Sequence, residues 1–271
     1  MTELISEGDR PRPVIPANPR VAILGCSLAS GLGVREKSVG RIAANQLGAS
    51  KVLFKAKARQ LIDDSVELLP RVLEFEPHLV VISTGNAEAL VHPTRFVEQL
   101  LTRYGPKSWQ GEVGLDARPY YSEDRSKQWR ERITSVIKVI FKNVMIRLGG
   151  GYTRMSLADY VPHLERLLDT LTANGCAVVV VGTGDPHPLL FPGSRKSLAR
   201  FDEAQQRIVA ARPGVALVRT SVIIDLRTEV QADKAHPNVK GHEHLARAVV
   251  EALDVQQVRA VAEAGSVADA S

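Results

Sequence analysis

Short apolar runs of strand length alternate along this chain with longer stretches whose apolar residues repeat every three or four positions, and a parallel α/β sheet accommodates both periods. The short runs are residues 21–24, 52–54, 79–82, 177–181 and 215–218. The helical stretches are 36–47, 63–75, 94–103, 157–174, 198–211 and 242–253. An unbroken run such as Val178-Val179-Val180-Val181 suits a strand buried on both faces, so helices must cover both sides of the sheet. The expected fold class is therefore α/β, a doubly wound, flavodoxin-like parallel sheet of five strands flanked by helices.

A length of 271 residues admits one large domain with an insertion or two compact ones. The single alternating pattern favours one domain over residues 20–256. Residues 1–19, with Pro11, Pro13, Pro16 and Pro19, read as an extended arm, and 257–271, rich in Ala, Ser and Glu, as a disordered tail. The stretch 104–155 is too long for a simple connection and reads as an insertion with its own role. In it, Trp129, Ile133, Ile137, Ile140, Val144 and Leu148 share one helical face, while Arg130, Lys138, Lys142 and Arg147 decorate the others. Two expectations follow: a cover helix with its apolar face on the core and a solvated cationic face, or a lid that receives an acyl chain or an anionic partner.

Charge narrows the partners. The net charge is +5, and residues 118–147 hold eight Lys/Arg against three Asp/Glu, so that segment alone accounts for it. A basic patch confined to one segment, with aromatics at 5%, argues against a nucleic-acid surface. No stretch approaches about 18 consecutive apolar residues, and the acidic, Pro-rich start is unlike a secretory signal, so a cytoplasmic location is expected. Two cysteines, Cys26 and Cys176, neither make a disulfide framework nor show metal-ligand spacing.

In an open parallel sheet ligands sit beyond the carboxyl ends of the strands. There the first strand runs into Gly25-Cys26-Ser27-Leu28-Ala29-Ser30-Gly31, the third into Ser83-Thr84-Gly85-Asn86-Ala87-Glu88, and the fourth into Gly182-Thr183-Gly184-Asp185-Pro186-His187. After the fifth comes Asp233-Lys234-Ala235-His236-Pro237-Asn238, then Gly241-His242. A Ser, an Asn and an Asp/His pair on one edge are the parts of a serine-nucleophile site. An Asp three residues before a His on a tight turn can reach back to the imidazole, fix its tautomer and stabilise the imidazolium.

On these motifs the chain resembles the SGNH, or GDSL-like, serine hydrolases and acyltransferases over residues 20–253. Asp233-x-x-His236-Pro237-Asn238-x-x-Gly241-His242 is very like that family's carboxyl-terminal stretch, and Gly25-Cys26-Ser27-Leu28 resembles its Gly-Asp-Ser-Leu with Cys26 in place of Asp. The resemblance implies Ser27 as nucleophile, His236 as general base and Asp233 as its orienting carboxylate, with no cofactor and no metal. It also implies an oxyanion hole of the Ser27 N–H and an Asn after the third strand. Direct alignment of Gly85-Asn86-Ala87-Glu88 puts Ala87 at the donor position, so Asn86 serves only if the loop shifts register. The family's glycine after strand two has no clear match in Lys55-Ala56-Lys57-Ala58-Arg59-Gln60-Leu61. The chain is similar, more loosely, to mycobacterial-type sugar octanoyltransferases of the same family, which share the missing Asn and a basic, Trp-containing insertion.

The expected activity is hydrolysis of an O-acyl ester, a small-molecule or glycan one, or transfer of its acyl group through an acyl-enzyme. The alternatives are acyl transfer from an acyl-CoA or acyl-carrier donor to a sugar or natural-product hydroxyl, a binding module that has lost catalysis, and an NADP-binding protein. The last rests on the degraded glycine fingerprint and on Lys55, Lys57 and Arg59, which suit a 2′-phosphate. Lys55, Lys57, Arg59, Trp129, Lys138, Lys142 and His187 are the candidate substrate-binding residues, with membrane-surface contact through the basic helix a further reading. Asp185 and His187 form a rival pair, but side chains two apart in an extended segment point away from each other. His242 and His244, two apart on a helix, cannot face one ion.

Overall fold

A computed structural model describes residues 13–106, 109 and 125–268, with side chains described for most of them. In chain order the strands are β1 (Arg20–Gly25), β2 (Lys51–Ala56), β3 (Leu79–Ser83), β4 (Val91–Pro93), β5 (Gly151–Thr153), β6 (Ala177–Val181) and β7 (Val215–Val218). The helices are α1 (Ser27–Ser30), α2 (Val39–Gln46), α3 (Ile62–Glu67), α4 (Leu69–Glu74), α5 (Asn86–Ala89), α6 (Arg95–Tyr104), α7 (Arg125–Gly149), α8 (Leu157–Ala173), α9 (Ser194–Ala210), α10 (Thr220–Ile223) and α11 (Val239–Ala268).

Five strands form one parallel sheet in the order β2-β1-β3-β6-β7. The pleat splits the valine run of β6. Val178 and Val180 join the cluster under α3, α4, α8 and α9, while Val179 and Val181 join the opposite one under α2 and α11. Each cluster removes a row of branched side chains from water at about 25 cal/mol per Å², which is the main force closing the two helical layers on the sheet. The chain runs outward from β1 to β2 at one side and from β3 to β7 at the other, so the order reverses between β1 and β3, and the crevice opens there.

Three expectations are corrected. The stretch read as one helix over 63–75 divides into α3 and α4, because Pro70 in the first turn of α4 lacks an N–H to continue the ladder. The stretch 257–271 reads as a tail in the sequence, yet α11 runs on to Ala268 through an alanine-rich segment of high helix propensity. The dinucleotide reading also fails. The helix after β1 is a single four-residue turn, and the sheet order is flavodoxin-like, whereas a dinucleotide fingerprint needs a long helix whose first turn faces the pyrophosphate.

Near its end the insertion supplies β5, which pairs antiparallel with β4 ahead of the insertion, and α7 packs on this ribbon. Its orientation reverses the first of the two sequence expectations, the cover helix with its apolar face on the core. Lys138 and Lys142 are 3% and 1% exposed, while Trp129, Ile133, Ile137, Ile140, Val144 and Leu148 face outward. The cause lies in what sits beneath: the Lys142 ammonium lies 4.7 Å from the centre of the Phe191 ring, and Asn143 Nδ2 donates to Leu189 C=O at 2.7 Å. Periodicity identifies a face without saying which side the protein occupies.

Candidate active site

The first part of the site is a turn that only glycine permits. Gly25 closes β1 at φ 115°, and a Cβ there would lie 2.0 Å from Ser83 C=O. Cys26 N–H donates to that same carbonyl at 3.1 Å, which turns the chain so that Ser27 opens α1 at the carboxyl edge of the sheet. Cys26 points inward, fully buried, with Sγ 3.6 Å from Ser83 Oγ, and burial raises its thiol pKa. A thiol held protonated in the core is a poor nucleophile.

The second part is the loop before α11. Asp233, 1% exposed, accepts the backbone N–H of Ala235 and of His236 on Oδ1, each at 3.1 Å. Its Oδ2 lies 2.5 Å from His236 Nδ1. His236 Nε2 in turn lies 2.8 Å from Ser27 Oγ. With Nδ1 donating to the carboxylate, Nε2 is left to accept the serine proton. The remaining motif residues hold this loop in place. Asn238 Oδ1 accepts Gly241 N–H at 3.1 Å, capping α11, and its Nδ2 donates to Thr228 C=O at 2.9 Å. Gln231 Nε2 donates to Leu32 C=O and to Pro237 C=O at 2.7 and 2.8 Å, tying the loop to the turn that follows α1.

The third part follows β3. Gly85, at φ 97°, is pressed against Gln205 and Thr183, and Asn86 is the first residue of α5. Asn86 Oδ1 accepts Gly184 N–H at 2.9 Å. This orients the side-chain amide, and no described residue accepts from its Nδ2. Asn86 and Ala87 thus occupy the first two positions of α5, at the carboxyl end of β3.

Glu88 lies beneath this loop. Its Oε2 accepts Gly85 N–H at 2.9 Å and its Oε1 accepts the Thr84 hydroxyl at 3.1 Å, closing the first turn of α5. Gln205 locks the neighbouring strand ends: Nε2 donates to Thr84 C=O and to Tyr160 Oη, and Oε1 accepts Thr183 N–H. Sequence reasoning missed Gln205 and Tyr160 as supports of the site, because each sits in an ordinary amphipathic helix with no local signal. Glu88 was visible only as a letter of the motif.

The other candidates fall in separate places. Lys55 lies on the edge strand β2, opposite Leu24. Lys57 donates its backbone N–H to Gly25 C=O at 3.1 Å. Arg59 adopts φ 64°, the backbone region natural to glycine, at the turn where the resemblance expects one. His187 lies on the strap between β6 and α9, and its N–H donates to Lys234 C=O at 3.1 Å. Asp185 pairs with Arg195 at 3.5 Å, so the Asp185/His187 pair does not form. His242 Nδ1 accepts Val39 N–H at 3.1 Å, whereas His244 faces Glu229 at 2.8 Å, so the two imidazoles serve different partners. Trp129, Lys138 and Lys142 belong to α7, the charges inward and the indole outward.

Two buried groups beside the site pull acid stability in opposite directions. Burial, aided by the nearby His236, lowers the His242 pKa to about 4. Between about pH 6.5 and 4 the unfolded chain therefore binds a proton that the folded chain refuses, so stability is lost as pH falls through that range. Burial raises the Glu88 pKa to about 7. Between about pH 4.5 and 7 the folded chain keeps a proton that the unfolded chain has released, so stability is lost as pH rises. Each effect is on the order of 3 kcal/mol, and they largely offset. Glu88→Gln, which cannot titrate, should convert a shallow profile of melting temperature between pH 4.5 and 7 into one that climbs with pH. A variant profile parallel to the wild type would show that Glu88 does not carry this proton.

No protein-family model matches the sequence, and no curated protein sequence does. Solved structures match over most of their length. A lipolytic protein of the G-D-S-L family from Desulfitobacterium hafniense is 13% identical, with a TM-score of 0.54 over 87% of this chain and 99% of that one. TesA is 16% identical, with a TM-score of 0.53 over 88% and 99%. Axe2, an acetylxylan esterase from Geobacillus stearothermophilus, is 14% identical, with a TM-score of 0.52 over 88% and 95%. The fold is that of the GDSL/SGNH hydrolases.

Proposed function

We propose that this chain, built on that fold, performs serine-nucleophile ester chemistry through an acyl-enzyme. The observation that carries the reading is the hydrogen-bonded line Asp233–His236–Ser27, with spacings of 2.5 and 2.8 Å. In this mechanism His236 Nε2 takes the Ser27 proton as Oγ attacks the ester carbonyl. Asp233 keeps Nδ1 protonated and stabilises the imidazolium that forms. The tetrahedral oxyanion is met by the Ser27 backbone N–H, which has no acceptor among the described residues, and by Asn86 Nδ2. His236 then returns the proton to the leaving alcohol or thiol. The acyl-enzyme passes to water, or to an acceptor hydroxyl activated by the same imidazole. The resemblance to sugar octanoyltransferases, and the glycan esterase among the structural neighbours, favour a glycan or small-molecule hydroxyl as the oxygen partner.

The test is covalent. A fluorophosphonate should phosphonylate the chain once, at Ser27, as located by peptide mass spectrometry; modification elsewhere, or none, overturns the reading. Asn86→Ala should lower kcat on a short aryl ester by roughly 10²–10³-fold with little change in KM, because the donor acts on the oxyanion and not on the ground-state carbonyl. An unchanged kcat would remove Asn86 from the hole.

A further inference from the structure

We infer that α7 docks this protein onto the surface of an anionic bilayer, lying flat with its outward apolar stripe among the headgroups. This goes beyond the ester chemistry and does not depend on it. The helix is 25 residues long, and its stripe from Trp129 through Ile133, Ile137, Ile140 and Val144 to Leu148 runs about 28 Å along one side. Trp129 is 67% and Leu148 82% exposed. A soluble helix normally spends such a stripe on its own core, yet here the inward face is taken by Lys138, Lys142 and Ser135. A second stripe lies on α6, where Phe96, Leu100 and Tyr104, four apart, are also exposed.

Charge selects the occupant. Arg130 and Arg147 are exposed beside the stripe, while Lys138 and Lys142 are buried beneath it. A second copy of the helix would set these exposed guanidinium groups against each other, so self-pairing is disfavoured. Anionic headgroups supply the opposite charge, each nearby cation adding attraction, while the stripe enters the headgroup/acyl boundary. No helix among the described residues is long and apolar enough to cross a membrane, which leaves this helix lying on the surface. Its inner face bonds the strap that reaches the catalytic loop through His187 N–H and Lys234 C=O, so docking holds that loop close to the lipid.

The experiment is co-sedimentation of the full chain with vesicles of phosphatidylcholine alone or with phosphatidylglycerol added. The wild type should bind the anionic vesicles roughly tenfold or more tightly than the neutral ones, with the difference shrinking at high salt. Ile133→Glu with Ile140→Glu should weaken that binding by about tenfold or more while leaving turnover of a soluble aryl ester and the melting temperature unchanged. If that variant does not fold, Arg130→Glu with Arg147→Glu leaves the stripe intact and should abolish the preference for anionic vesicles. Absence of wild-type binding, or equal binding by the charge-reversed chain, overturns the proposal. So does a dimer in sedimentation velocity that Ile133→Glu with Ile140→Glu splits while vesicles go unbound, since the face would then be a self-interface.

Discussion

Ser27→Ala should abolish both fluorophosphonate labelling and turnover of a short aryl ester, a loss of at least about 10⁴-fold, while Cys26→Ser retains most of the activity. The two residues are neighbours in sequence and opposite in environment. Ser27 sits half-exposed on α1 with its Oγ 2.8 Å from His236 Nε2. Cys26 is buried against Ser83, and both burial and the charge of Glu88 disfavour its thiolate. Replacing Ser27 removes the oxygen that faces His236 Nε2, and the oxyanion donors alone leave a small residue of rate enhancement. Replacing Cys26 with serine changes one buried atom and keeps a partner for Ser83 Oγ, so it costs stability more than rate. The reverse pattern, an active Ser27→Ala and a dead Cys26→Ser, would assign the nucleophile to the thiol.

The sheet was legible because both its signals are local. Runs such as residues 79–82 and 177–181 name buried strands without reference to the rest of the chain, and the strand order follows from connection rules. The triad spacing was legible for a similar reason: Asp233 and His236 lie three residues apart on one turn, so the carboxylate reaches the imidazole within a single motif. Asn86 is different. Counting along the motif puts Ala87 at the donor position, whereas the contact that fixes the Asn86 amide, Gly184 N–H to Asn86 Oδ1, comes from 98 residues away and leaves no local signal. Gln205 and Tyr160 join strand ends from α9 and α8, and their partners cannot be read from either helix alone. For α7 the period was legible and the inward side was not, because the inward side depends on Phe191 and Leu189 in a distant strap.

Asp233→Asn should cost about 10³–10⁴-fold in kcat while leaving the fold intact, and the reason lies in which oxygen does what. Oδ1 holds the turn by accepting the N–H groups of Ala235 and His236, and an asparagine oxygen can keep both bonds. The amide nitrogen then occupies the place of Oδ2, facing His236 Nδ1, and a donor there demands an acceptor. The imidazole answers by moving its proton to Nε2, which then points N–H at Ser27 Oγ and can no longer remove the serine proton. The loop geometry survives while the base is in the wrong tautomer, so the loss falls on kcat and little on KM or melting temperature. Asp233→Ala separates the two roles, since it also abandons both backbone N–H groups; it should lose stability as well, by about 1–3 kcal/mol. Matched kinetics and thermal melts on the two variants give the check. If Asp233→Asn turned over at the wild-type rate, His236 would be oriented by another group, and the proton relay assigned to this loop would be wrong.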